Sequence, residues 1–369
     1  MKLKVLQENL NGLLTHLSKA IPSNPQLPIL ASVLIENENN VCTFSATDLY
    51  FGIRCSMNVD SEVDGTIVVP GKQFKEVISS LDPGVLQLLF TESALHIKNK
   101  QTKVKLSGGV TEDYPPFPQV DGEEFIFPIS YLEDIEKNVS FSASTDQARP
   151  VLTTVLFEFG AAGLKCVATD GFRLSTLIIN DSKEYEDKSF LIPAKALSEV
   201  YKIASKLNVE EVRFKVSHEL KQVFFSLEGV EIFVRLIEGN YPPYEKIIPS
   251  SFSTEVIFDG EQLTENLKRA MIFARESSNI VRLEITQESV FIHSSSPSFG
   301  SYKGELHAVT VTGQPNEIAF NIKYLLEYLS AVKTQQQWFG MSDSLKPAVI
   351  KPVDSQKQQY VVMPFKVNG

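Results

Sequence analysis

This sequence of 369 residues lacks the motifs that mark most enzymes. Its five histidines are scattered, without the H-x-x-x-H or H-x-x-E-H spacing that brings two imidazoles together for zinc binding or general-base chemistry. It contains neither a G-x-x-x-x-G-K-S/T phosphate loop nor a G-x-S-x-G nucleophile elbow. We therefore predict that the chain is not an enzyme and needs neither a metal ion nor a cofactor.

Cysteine and long apolar runs are also scarce. Cys42, Cys55 and Cys166 lie in strand-like runs without a C-x-x-C pair, which predicts buried reduced thiols rather than a disulfide framework or a zinc site. The chain opens without a charge-flanked apolar signal, and no stretch approaches the roughly 20 apolar residues that span a bilayer. These absences predict a cytoplasmic protein with no membrane partner.

The charge balance is acidic, with a formal net charge of −10. Non-specific binding to nucleic acid draws on Lys and Arg that neutralise phosphates, so this total taken alone argues against such binding. It does not exclude a protein whose basic residues gather on one surface. The length suits two or three domains of roughly 100–150 residues each.

Three ordered landmarks recur after roughly 120 residues, which is a domain-sized period. They are an Ala-Thr-Asp motif followed by arginine, a Pro-x-Lys opening of an apolar-periodic stretch, and a Tyr-Pro-Pro motif. The first copies lie at 46–54, 69–72 and 112–116, and the second copies at 168–173, 192–195 and 238–243. The order and spacing predict a repeated domain.

A fainter third copy has predicted helices at 261–275 and 323–329, which gives domains 1–122, 123–250 and 251–369. Within each copy the periodicity reads as a helix, several strands, a second helix and several strands. We therefore predict an α+β fold in which two helices cover one face of antiparallel strands.

The Thr-Asp pairs at Thr47-Asp48 and Thr169-Asp170 could suggest acid catalysis. Their occurrence at matching points of two repeats favours another interpretation, in which side-chain hydrogen bonds fix the geometry between a strand and a turn. The Tyr-Pro-Pro motifs are likewise interpreted as rigid turns between strands.

From end to end the sequence resembles the bacterial β sliding clamp family, the beta subunits of the replicative DNA polymerase III. The resemblance is carried by Leu27–Leu30, Val167–Leu174, Tyr241–Tyr244, Val281–Leu283 and Tyr360–Pro364. It implies three clamp domains per chain and a homodimer closed head to tail into a ring. Sheets would form the outside, and helices would line a hole that holds double-stranded DNA without reading its sequence.

The resemblance also implies a hydrophobic pocket between domains two and three for short peptides of the Gln-Leu-x-Leu-Phe kind. Such peptides would come from replicative polymerase subunits, the clamp loader ATPase, repair polymerases and ligase. Apolar anchors with a few orienting polar groups suit this task. The pocket residues carried over are Leu152, Thr169, Gly171, Phe172, Arg173, Leu174, Pro242, Lys246, Ile247, Asn321, Tyr324, Val361, Val362, Met363 and Pro364. For Leu152, Leu174 and Val361, a plain core role stays open.

Two further sets follow from the resemblance. The side chains expected to line the DNA path are Lys72, Lys75, Arg149, Lys195, Lys202, Lys206, Lys268, Arg269, Arg275 and Lys323. From the charges alone an ordinary solvated face with i,i+4 ion pairs stays equally open, because Glu199 and Glu327 interrupt these rows. Ring closure is expected where 101–106 of one chain pairs with 298–307 of the other, with Lys103, Lys105, Ile272 and Phe273 at the interface. Glu133, Asp134 and Glu136 make the first helix of domain two acidic, which predicts a light grip on DNA.

Two other classes of protein remain open at this stage. A β-rich structural or adhesive repeat protein with no role on DNA is the alternative. A hydrolase whose catalytic residues follow none of the motifs above is more remote. Retention on circular but not linear DNA would distinguish a clamp from both.

Overall fold

The computed structural model describes residues 1–91, 93–100, 102–119, 123–161, 163–180, 185–307 and 309–366. The chain forms two compact units. The first comprises Met1–Ser130 with Glu199–Leu236, and the second comprises Tyr131–Ser198 with Ile237–Gly369. The middle of the chain is therefore shared between the units.

The first third of the chain alternates strands with two helices. Its elements are β1 (Lys2–Leu6), α1 (Gln7–Leu17), β2 (Ser32–Glu38), β3 (Val41–Thr47), β4 (Phe51–Asn58), β5 (Asp60–Val63), β6 (Gly65–Pro70), α2 (Gly71–Ser80), β7 (Val85–Thr91), β8 (Ala94–Asn99) and β9 (Thr102–Ser107).

The rest of the chain repeats this order twice, except that four strands rather than five lie between the two helices in the described residues of the middle repeat. The middle contains β10 (Glu123–Pro128), α3 (Ile129–Asn138), β11 (Thr154–Gly160), β12 (Gly163–Thr169), β13 (Arg173–Ile179), β14 (Lys188–Pro193), α4 (Ala194–Leu207), β15 (Glu211–Ser217), β16 (Gln222–Leu227) and β17 (Val230–Arg235). The last third contains β18 (Thr254–Asp259), α5 (Gly260–Ala274), β19 (Ile280–Ile285), β20 (Val290–Ser296), β21 (Gly300–Leu306), β22 (Thr310–Gly313), β23 (Asn316–Asn321), α6 (Ile322–Ala331), β24 (Gln336–Met341), β25 (Ala348–Pro352) and β26 (Gln358–Val362). The predicted threefold α+β repeat is confirmed.

Each helix begins directly after a strand and buries one apolar face. In α1, Leu10, Leu14 and Leu17 are buried at helical spacing, which places them on one face. The Asp259 carboxylate accepts a hydrogen bond from the Gln262 amide (2.8 Å) and caps α5. None of the helices among the described residues is both long and apolar enough to cross a membrane.

The strands form four sheets, two in each unit. The first unit has a five-stranded sheet in the order β5-β1-β7-β8-β9 and an eight-stranded sheet in the order β10-β15-β16-β17-β4-β3-β2-β6. The second unit has a nine-stranded sheet in the order β14-β11-β12-β13-β26-β25-β24-β18-β22 and a four-stranded sheet in the order β21-β20-β19-β23. Neighbouring strands in all four are antiparallel.

The two larger sheets each join strands from consecutive repeats. Strand β4 of the first repeat pairs with β17, the last strand of the middle repeat. Strand β13 of the middle repeat pairs in the same way with β26, the last strand of the chain. The equivalent strands of the remaining pair, β9 and β21, lie at sheet edges. We call the two internal pairings the first and second joints.

Both predicted Thr-Asp turns have the expected hydrogen bonds. The Asp48 carboxylate accepts from the amides of Tyr50 (2.9 Å) and Phe51 (2.7 Å). The Thr47 hydroxyl accepts from the Leu49 amide (2.9 Å) and donates to the Phe51 carbonyl (3.2 Å). These bonds turn the chain between β3 and β4, so the structural interpretation of the motif is confirmed.

All three cysteines are buried and free, as predicted. Burial raises the pKa of the Cys42 and Cys55 thiols to about 12, so they stay protonated at neutral pH. The boundary predicted at 122 lies outside the described residues, and the three domain ranges stay predictions.

Candidate peptide-binding site

The candidate site is built on the turn between β12 and β13 in the second unit. The Asp170 carboxylate accepts from the amides of Phe172 (2.9 Å) and Arg173 (3.0 Å). The Thr169 hydroxyl accepts from the Gly171 amide (3.0 Å) and donates to the Arg173 carbonyl (2.6 Å). Gly171 has φ +92°, a conformation that strains other residues. The turn therefore presents Phe172 outward, where its side chain is exposed.

Arg173 is buried at this turn between two carboxylates. Its Nε lies 3.1 Å from Asp170 Oδ2, and its Nη1 lies 2.5 Å from Glu327 Oε2. Burial alone would lower the pKa of the guanidinium, but the facing oxygens of Tyr360 and Glu327 outweigh burial and raise it. The charge of Arg173 is thus compensated by the carboxylates of Asp170 and Glu327.

Aromatic rings surround the guanidinium. Its Cζ lies 4.8 Å from the Tyr324 ring centroid and 5.8 Å from that of Phe141. Tyr360 stacks on Tyr328 with ring centroids 4.6 Å apart, and its hydroxyl donates to the Tyr324 carbonyl (3.0 Å). These contacts hold α6 and β26 together beside Arg173.

An apolar rim lies above this buried layer. The rings of Phe172 and Tyr324 stack with centroids 6.4 Å apart and an interplanar angle of 20°. The Met363 amide donates to the Phe172 carbonyl (2.8 Å), which fixes the end of the chain beside the turn. Met363 is exposed, so apolar surface remains uncovered at this rim. A flexible methionine can adapt such a surface to different apolar partners.

The structure brings many of the predicted pocket residues to this region, but the predicted residues differ in how far their side chains are buried. Leu174 and Val361 pair across the second joint and belong to one buried cluster, so their core role is confirmed. The Asn321 side chain accepts from the Lys323 amide (3.1 Å) and caps α6. The remaining pocket residues divide between buried Thr169 and Val362, half-buried Leu152 and Pro364, and exposed Pro242 and Lys246.

Sequence reasoning did not assign Asp170, Glu327, Phe141 or Tyr360 to this site. Glu327 follows Tyr324 by three residues, a spacing that puts both on one helix face and could have been noticed. Phe141 carries no such signal, because its contact with Arg173 depends on the folding of a distant segment.

Several of the predicted DNA-lining side chains already have protein partners. Their shared feature is a nearby carboxylate or hydroxyl: Lys75 Nζ lies 2.9 Å from Ser18 Oγ, Lys202 Nζ 3.0 Å from Glu199 Oε1, Arg269 Nη2 3.0 Å from Glu265 Oε2 and Arg149 Nε 3.2 Å from Asp146 Oδ2. Lys72, Lys195, Lys206, Lys268, Arg275 and Lys323 are exposed. The two exposed ion pairs, Arg269–Glu265 and Arg149–Asp146, contribute little stability and leave both charges in solvent.

The predicted interface residues lie on or beside the two free edges. Lys103 and Lys105 are exposed on β9. Ile272, near the end of α5, is 61% exposed, and Phe273 stacks on Tyr302 of β21 with ring centroids 6.4 Å apart. Gln101 lies outside the described residues.

Three family models match the chain in succession. The N-terminal domain of the DNA polymerase III beta subunit matches residues 1–118, the central domain residues 128–243 and the C-terminal domain residues 245–366. This chain belongs to the beta sliding clamp family.

Full-length relatives agree with the family models. The beta sliding clamp of Synechocystis sp. is 29% identical over 394 residues, covering 100% of both chains. That of Staphylococcus epidermidis is 30% identical over 360 residues, covering 94% of each. Members of this family are clamps rather than enzymes, and the matches do not favour a structural repeat protein.

Solved clamp structures share the fold over the whole chain. The DNA polymerase sliding clamp of Bacillus subtilis superposes with a TM-score of 0.95 at 26% identity, and the beta subunit of Thermotoga maritima with 0.92 at 28%, each covering 100% of both chains. A sliding clamp from Pseudomonas aeruginosa bound to griselimycin superposes with 0.93 at 25%, again covering 100% of both chains.

Proposed function

We propose that this clamp closes head to tail as a homodimer around duplex DNA. We further propose that it tethers polymerases, the clamp loader and repair proteins through short peptides bound at the apolar rim around Phe172 and Tyr324. The full-length family membership supports the first part. The exposed apolar rim above the compensated Arg173 supports the second, as does the likeness to a clamp bound to griselimycin.

The observation that carries the ring is the repeated joint. Strands β4 and β13 each pair with the last strand of the next repeat, β17 and β26. The equivalent strand of the third repeat is β21, and the first repeat's last strand is β9; both lie at sheet edges. Pairing β21 with β9 of a second chain repeats the same joint and closes two chains on each other. It also covers two edges that would otherwise promote aggregation.

Helix positions beside the joints support the same arrangement. Twelve residues after the start of the first helix of each repeat, the chain has Lys19 in the first repeat, Phe141 in the middle repeat and Ile272 in the last. Lys19 Nζ lies 3.5 Å from Glu199 Oε2 at the first joint. Phe141 contacts the rings of Tyr328 and Tyr360 at the second. Ile272 has the corresponding place beside β21 and is exposed, as expected for a residue awaiting a partner.

The clamp function predicts topological retention on DNA. After loading by the organism's own clamp loader, the protein should stay on a nicked circular plasmid through gel filtration. A single restriction cut should then release it, because binding that reads no bases lets a ring slide off an end. Equal retention on circular and linear DNA would contradict encirclement.

Retention and direct binding should also depend on the charge of α4. Replacing Lys195, Lys202 and Lys206 by glutamate should weaken binding equally on unrelated duplexes. The slope of log K against log salt should fall by about one for each lysine that contacts phosphate. The matched control makes the same change in net charge at Lys215, Lys346 and Lys357, away from that helix. Equal loss in both triple variants would place the DNA path elsewhere.

The peptide site predicts a graded response at Arg173. Arg173→Ala removes the planar group against Tyr324, and we expect roughly tenfold weaker binding of a Gln-Leu-x-Leu-Phe peptide by calorimetry. Arg173→Lys keeps the positive charge but loses the planar face, so it should weaken binding by a similar factor. Thermal unfolding of both variants reports any loss of stability that results when the carboxylates of Asp170 and Glu327 lose the guanidinium as their partner. Full affinity in Arg173→Ala would remove this residue from the site.

A further inference from the structure

The two joints within the chain have the same strand register. At the first joint Arg54 lies opposite Glu231, and at the second Thr176 lies opposite Gln359. Glu231 and Gln359 are both the second residue of the last strand of their repeats. The corresponding residue of the first repeat is Lys103, on the free edge strand β9.

The position on the other free edge follows from the strand ladders. In each repeat, one residue on each of four neighbouring strands lies opposite the next, and these four residues form a row across the sheet. The row starts two residues before the end of the strand that precedes the second helix of the repeat. In the first repeat the ladder runs Val68, Leu34, Ser45, Arg54; in the middle repeat Leu191, Leu156, Val167, Thr176; and in the last repeat Ala319, Arg282, His293, Lys303. Lys303 of β21 is therefore the equivalent of Arg54 and Thr176.

The three equivalent pairs differ in charge. At the first joint Arg54 holds Glu231 with its Nη2 at 2.5 Å and its Nε at 2.6 Å from the same carboxylate oxygen. The second joint has a neutral pair. If the chains close with the same register, Lys103 of one subunit faces Lys303 of the other, and both side chains are exposed in the single chain.

Neighbouring charges leave this mismatch largely in place. Lys98 lies opposite Lys103 on β8, and Lys105 lies two residues along β9, so both share its face. On the other side the nearest carboxylate of β21 is Glu305, which accepts from the Ser289 hydroxyl (2.7 Å). His293, opposite Lys303, has its Nε2 2.7 Å from Glu284 Oε2. Two lysines of the edge strand β9, with Lys98 beside them on β8, thus meet one lysine and one carboxylate of the edge strand β21.

We propose that the interface between subunits carries a built-in like-charge pair, Lys103 against Lys303, that weakens ring closure at the seam. Like charges directly opposite on antiparallel strands destabilise the pairing. The inference rests on the proposed ring. It makes the two seams, where a ring must open to admit DNA, weaker than the joints within each chain.

The test measures the dimer dissociation constant by sedimentation at several concentrations. Lys303→Glu and Lys103→Glu should each tighten the dimer at least roughly tenfold at low salt, because each ring contains two seams. The double variant again has like charges and should return toward the parent value. Lys333→Glu makes the same charge change off β21 and should leave the constant within about twofold.

The salt dependence of the dimer dissociation constant gives a second measurement, because salt should act with opposite sign on the Lys–Lys pair of the parent and on the Lys–Glu pair of the variant. Raising ionic strength from about 0.05 M to about 0.5 M shortens the Debye length and screens exposed pairs. Relative to the parent, the dimer of Lys303→Glu should lose affinity over this range, because salt screens an attraction in the variant and a repulsion in the parent.

The register itself is testable without reference to charge. It places Ser301 opposite Lys105 of the partner subunit, so Ser301→Cys with Lys105→Cys in one chain should oxidise to a covalent dimer. Ser301→Cys with Val104→Cys is one residue out of register and should cross-link poorly. Efficient cross-linking of only the shifted pair would overturn the inference.

The outcomes separate this inference from the proposed ring. A protein that stays monomeric at every concentration and salt would remove the ring and the inference together. A dimer that depends on Ile272, but whose dissociation constant is unchanged in Lys303→Glu and Lys103→Glu, would overturn the like-charge pair and leave the ring standing.

Discussion

Ile272→Asp is expected to convert the dimer into monomers. By the equivalence of the joints, Ile272 should lie against Val77 and Val104 of the partner subunit, which correspond to Tyr328 and Tyr360 at the second joint. Both valines are half-buried in the single chain, so closure would complete an apolar contact. Burying an unpaired carboxylate there costs several kcal/mol. Because each ring has two seams, the dimer should be lost at micromolar concentrations in sedimentation velocity.

Two controls sharpen this experiment. Leu345→Asp places the same charge at a loop leucine that is 65% exposed, close to the exposure of Ile272, and should remain dimeric. Ile272→Val keeps the apolar contact and should also remain dimeric. Phe273→Asp should behave like Ile272→Asp, because its ring stacks on Tyr302 of the edge strand. If Ile272→Asp and Phe273→Asp both stay dimeric, the interface lies elsewhere. The parent interface should bury about 1,200–2,000 Å² per seam, the range of stable specific interfaces.

Ending the chain after Val362 is expected to abolish peptide binding while leaving the dimer intact. The cut keeps all of β26 and removes Met363, whose amide donates to the Phe172 carbonyl and whose side chain is exposed at the rim. Short peptides bury little area and lose conformational entropy on ordering, so the parent affinity should be micromolar, about −8 kcal/mol. Losing one wall of the rim should reduce that below detection in calorimetry.

Ending the chain after Lys366 is the matched control. It retains Met363 and also Phe365, whose amide donates to the Ala319 carbonyl (2.6 Å), and should bind the peptide normally. Circular dichroism and sedimentation on both truncations report whether the second unit stays folded and dimeric. Full peptide affinity in the shorter chain would rule out this surface.

Local features of the fold could be predicted from sequence because they depend on nearby residues. The helix expected at 261–275 is α5 at Gly260–Ala274, and that at 323–329 is α6 at Ile322–Ala331. The Thr169-Asp170 hydrogen bonds close within four residues, so the motif alone predicted them. Each of these features depends either on the periodic spacing of apolar residues or on a hydrogen bond between neighbouring residues, and both can be read directly from the sequence.

The candidate site was only partly predictable because its chemistry joins distant segments. Arg173 meets Glu327 only after β13 pairs with β26, and the sequence separation gives no sign of this pairing. The family resemblance assigned Arg173 to the site, but nothing in the sequence indicated that two carboxylates compensate its charge. The pairing of Lys202 with Glu199 was by contrast within reach of the sequence, because a spacing of three residues on a helix puts both side chains on one face.

The sequence by itself determined a threefold α+β repeat and membership of a family. Apolar periodicity and repeated turn motifs are local properties, and the order of motifs survives without coordinates. Only the tertiary structure decided which strand edges remain unpaired and which charges meet across a joint. The hydrogen-bonding groups along a strand edge are nearly the same for every sequence. Which strands of distant repeats pair, and in which register, therefore depends on the side chains that each register buries when the sheets pack. That is why the opposition of Lys103 and Lys303 becomes apparent only when the ladders of the three repeats are compared.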